Sequence, residues 1–273
     1  MAYFEGPIDN YLLAALTAAG GQPWWRRHLE RVDLKLGQVL YEPSRPQLYA
    51  YFPTSTIVSL LYLMDSGASA EIAVVGNEGI VGTSLFLGGA TTTSRGSVLI
   101  AGQGFRIGVQ TVKDEFDRSD SVRQLLLRYT QALITQVAQT AVCNRHHTID
   151  QQVCRWLLHS LDRLQGSEVV VTHELIANML GVRRESVTQV AGQLQAAGLI
   201  RCARGYIVVL DPAGLEQRVC ECHAVVKKEY DRLLPRVSAA PPVNPAWRVS
   251  PAWHDAVPTR LERRHQVAAA LET

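Results

Sequence analysis

No cysteine precedes residue 143. A cluster held by cysteines in the first half of the chain is therefore excluded. The five that follow (Cys143, Cys154, Cys202, Cys220 and Cys222) are odd in number and form no dense framework. Reduced thiols in a cytoplasmic protein are the expectation. An excess of one charge is also missing: 27 Lys and Arg stand against 25 Asp and Glu, for a net charge of +2. The molecule is no polycation, so any nucleic-acid surface has to be a local patch. Long apolar runs are lacking as well. Residues 57–64 fall far short of the ~20 that a membrane span needs, and no membrane partner is expected. Residues 1–9 carry acids where a secretory leader carries Lys or Arg, so no export signal is read there. Catalytic signatures are absent too. Gly76-x-x-Gly79-x-x-Gly82 is followed by no Lys-Ser/Thr, and there is no Gly-x-Ser-x-Gly elbow and no His-Glu-x-x-His. Asp65, Glu71 and Glu78 are paired only along the sequence. The reading is that of a protein that is not an enzyme.

What is present has a clear order. A length of 273 residues with 47% hydrophobic residues suits two globular domains. Residues 10–30 read as two short helices, with Tyr11, Leu12, Leu13 and Leu16 on the first, Trp24, Trp25 and Leu29 on the second, and Gly20-Gly21 between them. From residue 32 to about 108 the texture changes to short apolar runs at 38–41, 57–63, 70–75, 97–100 and 105–107. Gly- and Pro-rich turns separate them, which predicts an antiparallel barrel or roll.

A helix is predicted over 121–146, uninterrupted by Gly or Pro. Val122, Leu126, Tyr129, Leu133, Val137 and Ala141 recur along it at steps of three and four. Leu125, Leu127, Ala132 and Ile134 widen the apolar surface beyond one stripe. A helix greasy on two sides has its own domain to cover and something else besides, and a second copy of itself is the economical partner. The six residues of the first stripe are read as the dimer seam. Residues 144–150 read as a polar hinge, 151–164 as a further helix, and the Pro- and Ala-rich text after 235 as a flexible tail with a short helix at 259–271.

Residues 172–190 carry the strongest functional pattern. Two helices that cross steeply need a small residue where they touch, and Ala177 supplies it. The turn needs a residue tolerant of positive φ, and Gly181 stands four positions later. Ile176, Leu180, Val182, Val187 and Val190 fall at the intervals of a shared core. This is a helix-turn-helix pattern. Strands at 199–202 and 206–210, joined through Ala203-Arg-Gly205, then form a hairpin wing.

The fold expected is α+β: an N-terminal antiparallel β-roll or jelly roll, a long dimerisation helix and a C-terminal winged helix-turn-helix. The second helix of the reading unit enters the major groove with its N-terminus first. Arg184 is then placed to reach a guanine edge and Glu185 to accept from a cytosine amino group. Ser186, Thr188 and Gln189 reach bases or phosphates. Arg183, Arg201 and Arg204 are phosphate anchors, which position without specifying.

This order of parts resembles the Crp/Fnr family of bacterial transcription regulators over roughly residues 10–235. Gly181-Val-Arg-Arg-Glu-Ser-Val-Thr-Gln189 is similar to the family's Gly-x-Ser-Arg-Glu-x-Val-x-Arg reading segment, and Gly37-Gln-Val-Leu-Tyr41 to the opening of its cyclic-nucleotide-type roll. The resemblance implies a cyclic-nucleotide-binding-like effector domain over 1–118, a dimerisation helix and hinge over 119–148, and a winged helix-turn-helix over 149–235, with a tail at 236–273. It implies a homodimer on double-stranded DNA with a two-fold site, and RNA polymerase as a partner of an activator.

The chain departs from the family in three places. Arg183 stands where the family has an N-capping Ser, so the cap has to come from elsewhere. Gln189 replaces the family's third reading Arg and favours an adenine edge. In the effector pocket, the family's Gly-Glu and Arg-Ser/Thr-Ala correspond to Gly82, Thr83 and Ser84, and to Thr93, Ser94 and Arg95. Cyclic AMP in the usual mode is not expected. A small-molecule or nucleotide effector of another kind and an inert pocket both fit, and no cofactor is assigned.

Two alternatives stay open. One is an architectural DNA-binding protein without an effector, distinguished by indifference to sequence. The other is a metal- or redox-sensing regulator working through Cys143, His146 and His147, which lie at i, i+3 and i+4. The N-terminal cysteines that hold an iron–sulfur cluster in Fnr-type members are missing. Cys220-Glu-Cys222-His223 reads as surface helix.

Overall fold

The computed structural model describes residues 9–19, 27–89, 91–164 and 166–234. The expectations for Trp24 and Trp25, for the tail after 235 and for the helix at 259–271 lie outside the described residues.

Helix α1 (Tyr11–Ala19) buries Leu12, Leu13 and Leu16. Asn10, fully buried, fixes its start: Oδ1 accepts from the Leu13 amide at 2.8 Å, and Nδ2 donates to the carbonyls of Pro53 and Gly79 at 2.8 and 2.9 Å. An amide side chain with both ends satisfied is one way to bury a polar group at little cost.

The roll is two antiparallel sheets. One has the order β1 (Glu30–Leu34), β7 (Gly102–Gly108), β3 (Tyr49–Pro53). The other has the order β2 (Val39–Tyr41), β6 (Arg95–Ile100), β4 (Ile57–Leu63), β5 (Ser69–Val75). The five predicted strands are all present. β1 and β3 are additional; their alternation is diluted by charged and aromatic residues.

β4 is the informative strand. Residues Ile57 to Leu61 are all buried. Val58 and Leu60 face the roll interior with Phe52, Val75, Phe105 and Ile107. Ile57 and Leu61 face the other way, into a second core shared with Met179, Ile176 and Leu180 of the helix-turn-helix. The continuous apolar run that marked this strand is what a strand covered on both faces requires.

α2 (Val109–Arg118) leads into α3 (Asp120–His146), 27 residues and about 40 Å long. Here the expected dimer seam needs correction. Val122, Leu126, Tyr129 and Leu133 are buried in the protomer's own first core, and Val137 packs against its edge. Of the six residues only Ala141 is exposed. The periodicity holds, but the stripe belongs to the roll. Leu127, Ile134 and Val142 are the large apolar residues of α3 that face solvent. The expected hinge is also shorter. Asn144 to His146 continue the helix, and the joint is His147-Thr148, closed by a capping box between Thr148 and Gln151 at the start of α4 (Ile149–Leu161).

The chain continues through β8 (Glu168–Val169), α5 (His173–Leu180), α6 (Arg184–Ala196), β9 (Ile200–Ala203), β10 (Tyr206–Val209), α7 (Pro212–Arg218) and α8 (Glu221–Leu233). β8 adds a third strand to the wing, in the order β8-β10-β9. The sequence placed α8 within the reading unit. It instead returns to α3, setting Val226 and Tyr230 in the first core. Cys220, Cys222 and His223 are therefore buried, not on a surface helix.

Arg163 joins the three bodies. Its Nε donates to Glu78 Oε1 of the roll at 2.8 Å, its Nη1 to the His159 carbonyl at 2.9 Å, and its Nη2 to Gln136 Oε1 on α3 at 3.3 Å. Gln136 also accepts from the Tyr230 hydroxyl at 3.0 Å and donates to the Val74 carbonyl at 3.2 Å. Gly76 makes room for it: a Cβ there would lie 2.6 Å from Arg163 Cβ. Among the described residues no helix is long and apolar enough to cross a membrane.

Candidate nucleic-acid interface

The reading unit is set by a few local choices. Thr172 caps α5, its hydroxyl accepting from the Leu175 amide at 3.1 Å. Gly181 ends the helix at φ 66°, in the left-handed region where a Cβ is strained. Ala177 is buried at the crossing, and Ile176, Leu180, Val187 and Val190 fill the core around it. These are the side chains that the sequence pattern required.

α6 then starts at Arg184 with Arg183 in the N-cap position, and no side chain caps it. Its inner side buries Val187, Val190, Ala191 and Leu194. Its outer side leaves Arg183, Arg184, Glu185, Thr188 and Gln189 exposed and Ser186 half-buried. On the wing, Arg201 and Arg204 are exposed on the hairpin next to α6. All eight sequence-predicted residues thus lie in the helix-turn-helix and its wing. A shallow concavity beside them is lined by His173, Glu174, Arg184, Arg204 and Tyr206.

Two residues that the sequence reading passed over touch this surface. Glu174 Oε2 is 3.7 Å from Arg184 Nε, with both side chains largely exposed. Such a pair is worth roughly 0–1 kcal/mol and leaves Arg184 available to a stronger acceptor. His173 Nδ1 lies 3.2 Å from the Thr188 hydroxyl. Burial, and after it the Arg184 charge, lowers the His173 pKa from its ordinary value. Glu174 stands on the preceding helix, away from Arg184 in the sequence, so no local signal announced their contact. Nothing in the spacing announced His173.

The second set of candidate residues lies on the roll. Gly82 adopts φ 116° before a short 3-10 turn, and the Ser84 hydroxyl donates to Gln47 Oε1 at 3.1 Å. Thr83 lies in the same turn. Across the sheet, Thr93 pairs with the Tyr62 hydroxyl at 2.8 Å and Ser94 with the Tyr41 hydroxyl at 3.3 Å. Arg95 Nε donates to Glu42 Oε2 at 2.9 Å. The one cation of the set is thus neutralised by an internal acid. Of the proposed metal trio, Cys143 and His147 turn toward one another's neighbours and His146 faces solvent.

Residues 151–218 match the family model described as the Crp-like helix-turn-helix domain. No curated protein matches the chain. Among solved structures, FixK2 from Bradyrhizobium japonicum is similar at 16% identity, covering 70% of this chain and 98% of that one, with a TM-score of 0.62. TTHA1359, a CRP/FNR-family transcriptional regulator from Thermus thermophilus, is 21% identical over 69% and 97% of the two chains, with a TM-score of 0.55. The c-di-GMP-responsive global regulator CLP from Xanthomonas campestris is 19% identical over 67% and 94%, with a TM-score of 0.53. Domain match and fold agree: residues 151–218 match a Crp-like helix-turn-helix domain, and the described residues share the fold of solved transcription regulators such as TTHA1359 of the CRP/FNR family.

Proposed function

We propose that the chain regulates transcription as a homodimer that binds a two-fold symmetric DNA site by sequence. One observation carries this reading: the leading end of α6 stands in solvent with Arg184, Glu185, Thr188 and Gln189 exposed, while its apolar side anchors it to the core. In the major groove, Arg184 pairs with a guanine edge, Glu185 accepts from a cytosine amino group and Gln189 pairs with adenine. Arg183, Arg201 and Arg204 hold phosphates, and Ser186 and Thr188 supplement either set. The Glu174 contact orients Arg184 in the absence of DNA.

The homodimer is supported by the outer face of α3. Gln124, Leu127, Gln131, Ile134, Ala138, Ala141 and Arg145 line that face at steps of three and four, and all are exposed. Leu127, Ile134 and Ala141 repeat every seven residues, the spacing of a coiled-coil seam. Two copies joined there present two reading helices to half-sites about one helical turn apart. RNA polymerase is a partner if the protein activates.

The roll is read as the sensing domain for a small-molecule or nucleotide effector. Cyclic AMP in the family's usual mode is disfavoured by Thr83 and by the pairing of Arg95 with Glu42.

Selection of bound duplexes from a random pool by the full chain tests the reading, repeated with and without cyclic AMP and cyclic di-GMP. A palindromic site is expected. Arg184→Ala should lose about 1–3 kcal/mol on that site and little on unrelated duplexes. Equal loss on every sequence refutes the role given to Arg184. Indifferent binding by the unaltered chain would favour an architectural protein.

A further inference from the structure

At the lower end of α3 four metal-ligating side chains converge. Cys143 lies one turn before the helix end and His147 caps it. Cys220 and Cys222 flank the first residue of α8. Their ligand atoms all lie within 4.8 Å of one another. Cys143 Sγ is 3.6 Å from Cys220 Sγ, and Cys222 Sγ is 3.5 Å from His147 Nδ1. Zinc binds sulfur at about 2.3 Å and nitrogen at about 2.0 Å, so the edges of its tetrahedron are roughly 3.5–3.8 Å. The two distances match that figure. They exceed a disulfide's S–S length of about 2 Å. An iron–sulfur cluster spreads its thiolates over several irons and fits a set this tight poorly.

The surroundings match as well. His147 presents Nδ1 to the cluster and turns Nε2 to within 3.5 Å of Glu221 Oε2. A carboxylate on the far nitrogen is the usual support of a metal-bound imidazole. Gln152 Nε2 donates to the His147 carbonyl at 3.0 Å and to that of Cys143 at 3.4 Å, holding the backbone that carries both ligands. The three cysteines are at most 3% exposed.

We propose that Cys143, His147, Cys220 and Cys222 bind one zinc ion in a closed Cys3His site. Loading forms three Zn–S bonds and one Zn–N bond and releases the three thiol protons to solvent. The ion ties the end of the long helix to α8 beside the His147-Thr148 joint, the only link from α3 to the reading unit along the chain. His146, exposed to solvent, takes no part. A second cluster, His159, Asp162 and His223, is less suited to a cation. Lys227 Nζ lies 3.6 Å from Asp162 Oδ1, and the charges of Arg163 and Arg155 act on His159.

The test uses the full chain, purified, stripped with a chelator under reducing conditions and titrated with zinc or cobalt. One ion per chain is expected, with the absorption of tetrahedral, thiolate-bound cobalt. Cys143→Ser/Cys220→Ser should abolish that spectrum, and His147→Gln should change it. Glu221→Gln leaves all four ligands in place and should weaken zinc about 10-fold or more. Cys202→Ser and His146→Gln should leave stoichiometry and spectrum unchanged. Failure of the unaltered reduced chain to bind zinc, or retention of the spectrum in the double variant, overturns the proposal. So does a Cys143–Cys220 disulfide that persists under the reducing conditions.

Discussion

Replacing Arg163 by Met tests how the roll, the long helix and the reading unit are held together. The side chain is 4% exposed, and its three donor groups are all engaged, on Glu78, His159 and Gln136. Met fills much of the volume but supplies no donor. Glu78, whose side chain is 15% exposed, then keeps its charge in a site that water barely reaches. Removing one partner of a buried pair costs about 3–5 kcal/mol. The partial exposure of Glu78 and the amide of Gly76, which still donates to its other oxygen at 3.1 Å, argue for the lower end, roughly 3 kcal/mol. Glu78→Gln leaves the Arg163 charge without its counter-ion and should cost a similar amount. The double variant leaves neither charge behind, so it should cost less than the sum of the singles by at least about 1 kcal/mol. Urea unfolding of the four proteins, followed by tryptophan fluorescence and circular dichroism, measures the cycle. Additive losses, or a loss below about 1 kcal/mol for Arg163→Met, would show that the clasp does not couple the bodies.

The remaining predictions concern the domain interface and the dimer. Glu71 is buried where the roll meets α5, accepting from the Ser59 hydroxyl at 2.6 Å. Burial raises its pKa from 4.5 to about 7, against the opposing effects of Ser59, Arg155 and Arg163. The folded protein holds this proton more tightly than the unfolded chain. Its stabilising contribution is therefore complete below about pH 4.5 and lost as pH rises through about 7, by roughly 3 kcal/mol in all. Glu71→Gln should remove that decline, so the variant gains on the wild type between pH 5 and 8; parallel profiles in urea would contradict the assignment. Ile134→Glu places charge on the face proposed for the dimer without touching the core, and sedimentation should show monomers with unchanged helix content. A variant that stays dimeric would rule out this face. Leu126→Glu, on the stripe first read as the seam, should instead unfold the roll, since Leu126 is fully buried within it.

Much of this was legible because the chemistry is local. A helix-turn-helix needs a small residue at the crossing, a left-handed residue at the turn and apolar residues on the inner sides. Ala177, Gly181, Ile176, Leu180 and Val187 meet those needs within a dozen positions. The exposed face follows by subtraction, which is why the sequence alone places Arg184, Glu185 and Gln189 on the solvent side of that helix. The seven-residue spacing of Leu127 and Ile134 was equally present in the text. Two apolar stripes on one helix have the same period, however, and periodicity does not tell which covers the protomer's own roll. That was decided by packing: Tyr129 stacks over Gly79 and meets Tyr230 edge-on at 6.2 Å, contacts that join residues about 50 and 100 positions apart.

The same reason separates what the cysteines revealed from what they concealed. Their number and position excluded an N-terminal cluster by inspection. The i, i+4 spacing marked Cys143 and His147 as able to share an ion. The other half of the set lies more than 70 residues away in sequence, on a helix that read as surface. Only the return of α8 along α3 brings Cys220 and Cys222 to them. Short-range patterns of size, charge and turn chemistry fix each element and its outward face, because their energetics are settled within a few residues. Which elements lie against each other depends on burial summed over the whole chain, and that sum is available only once the chain has folded.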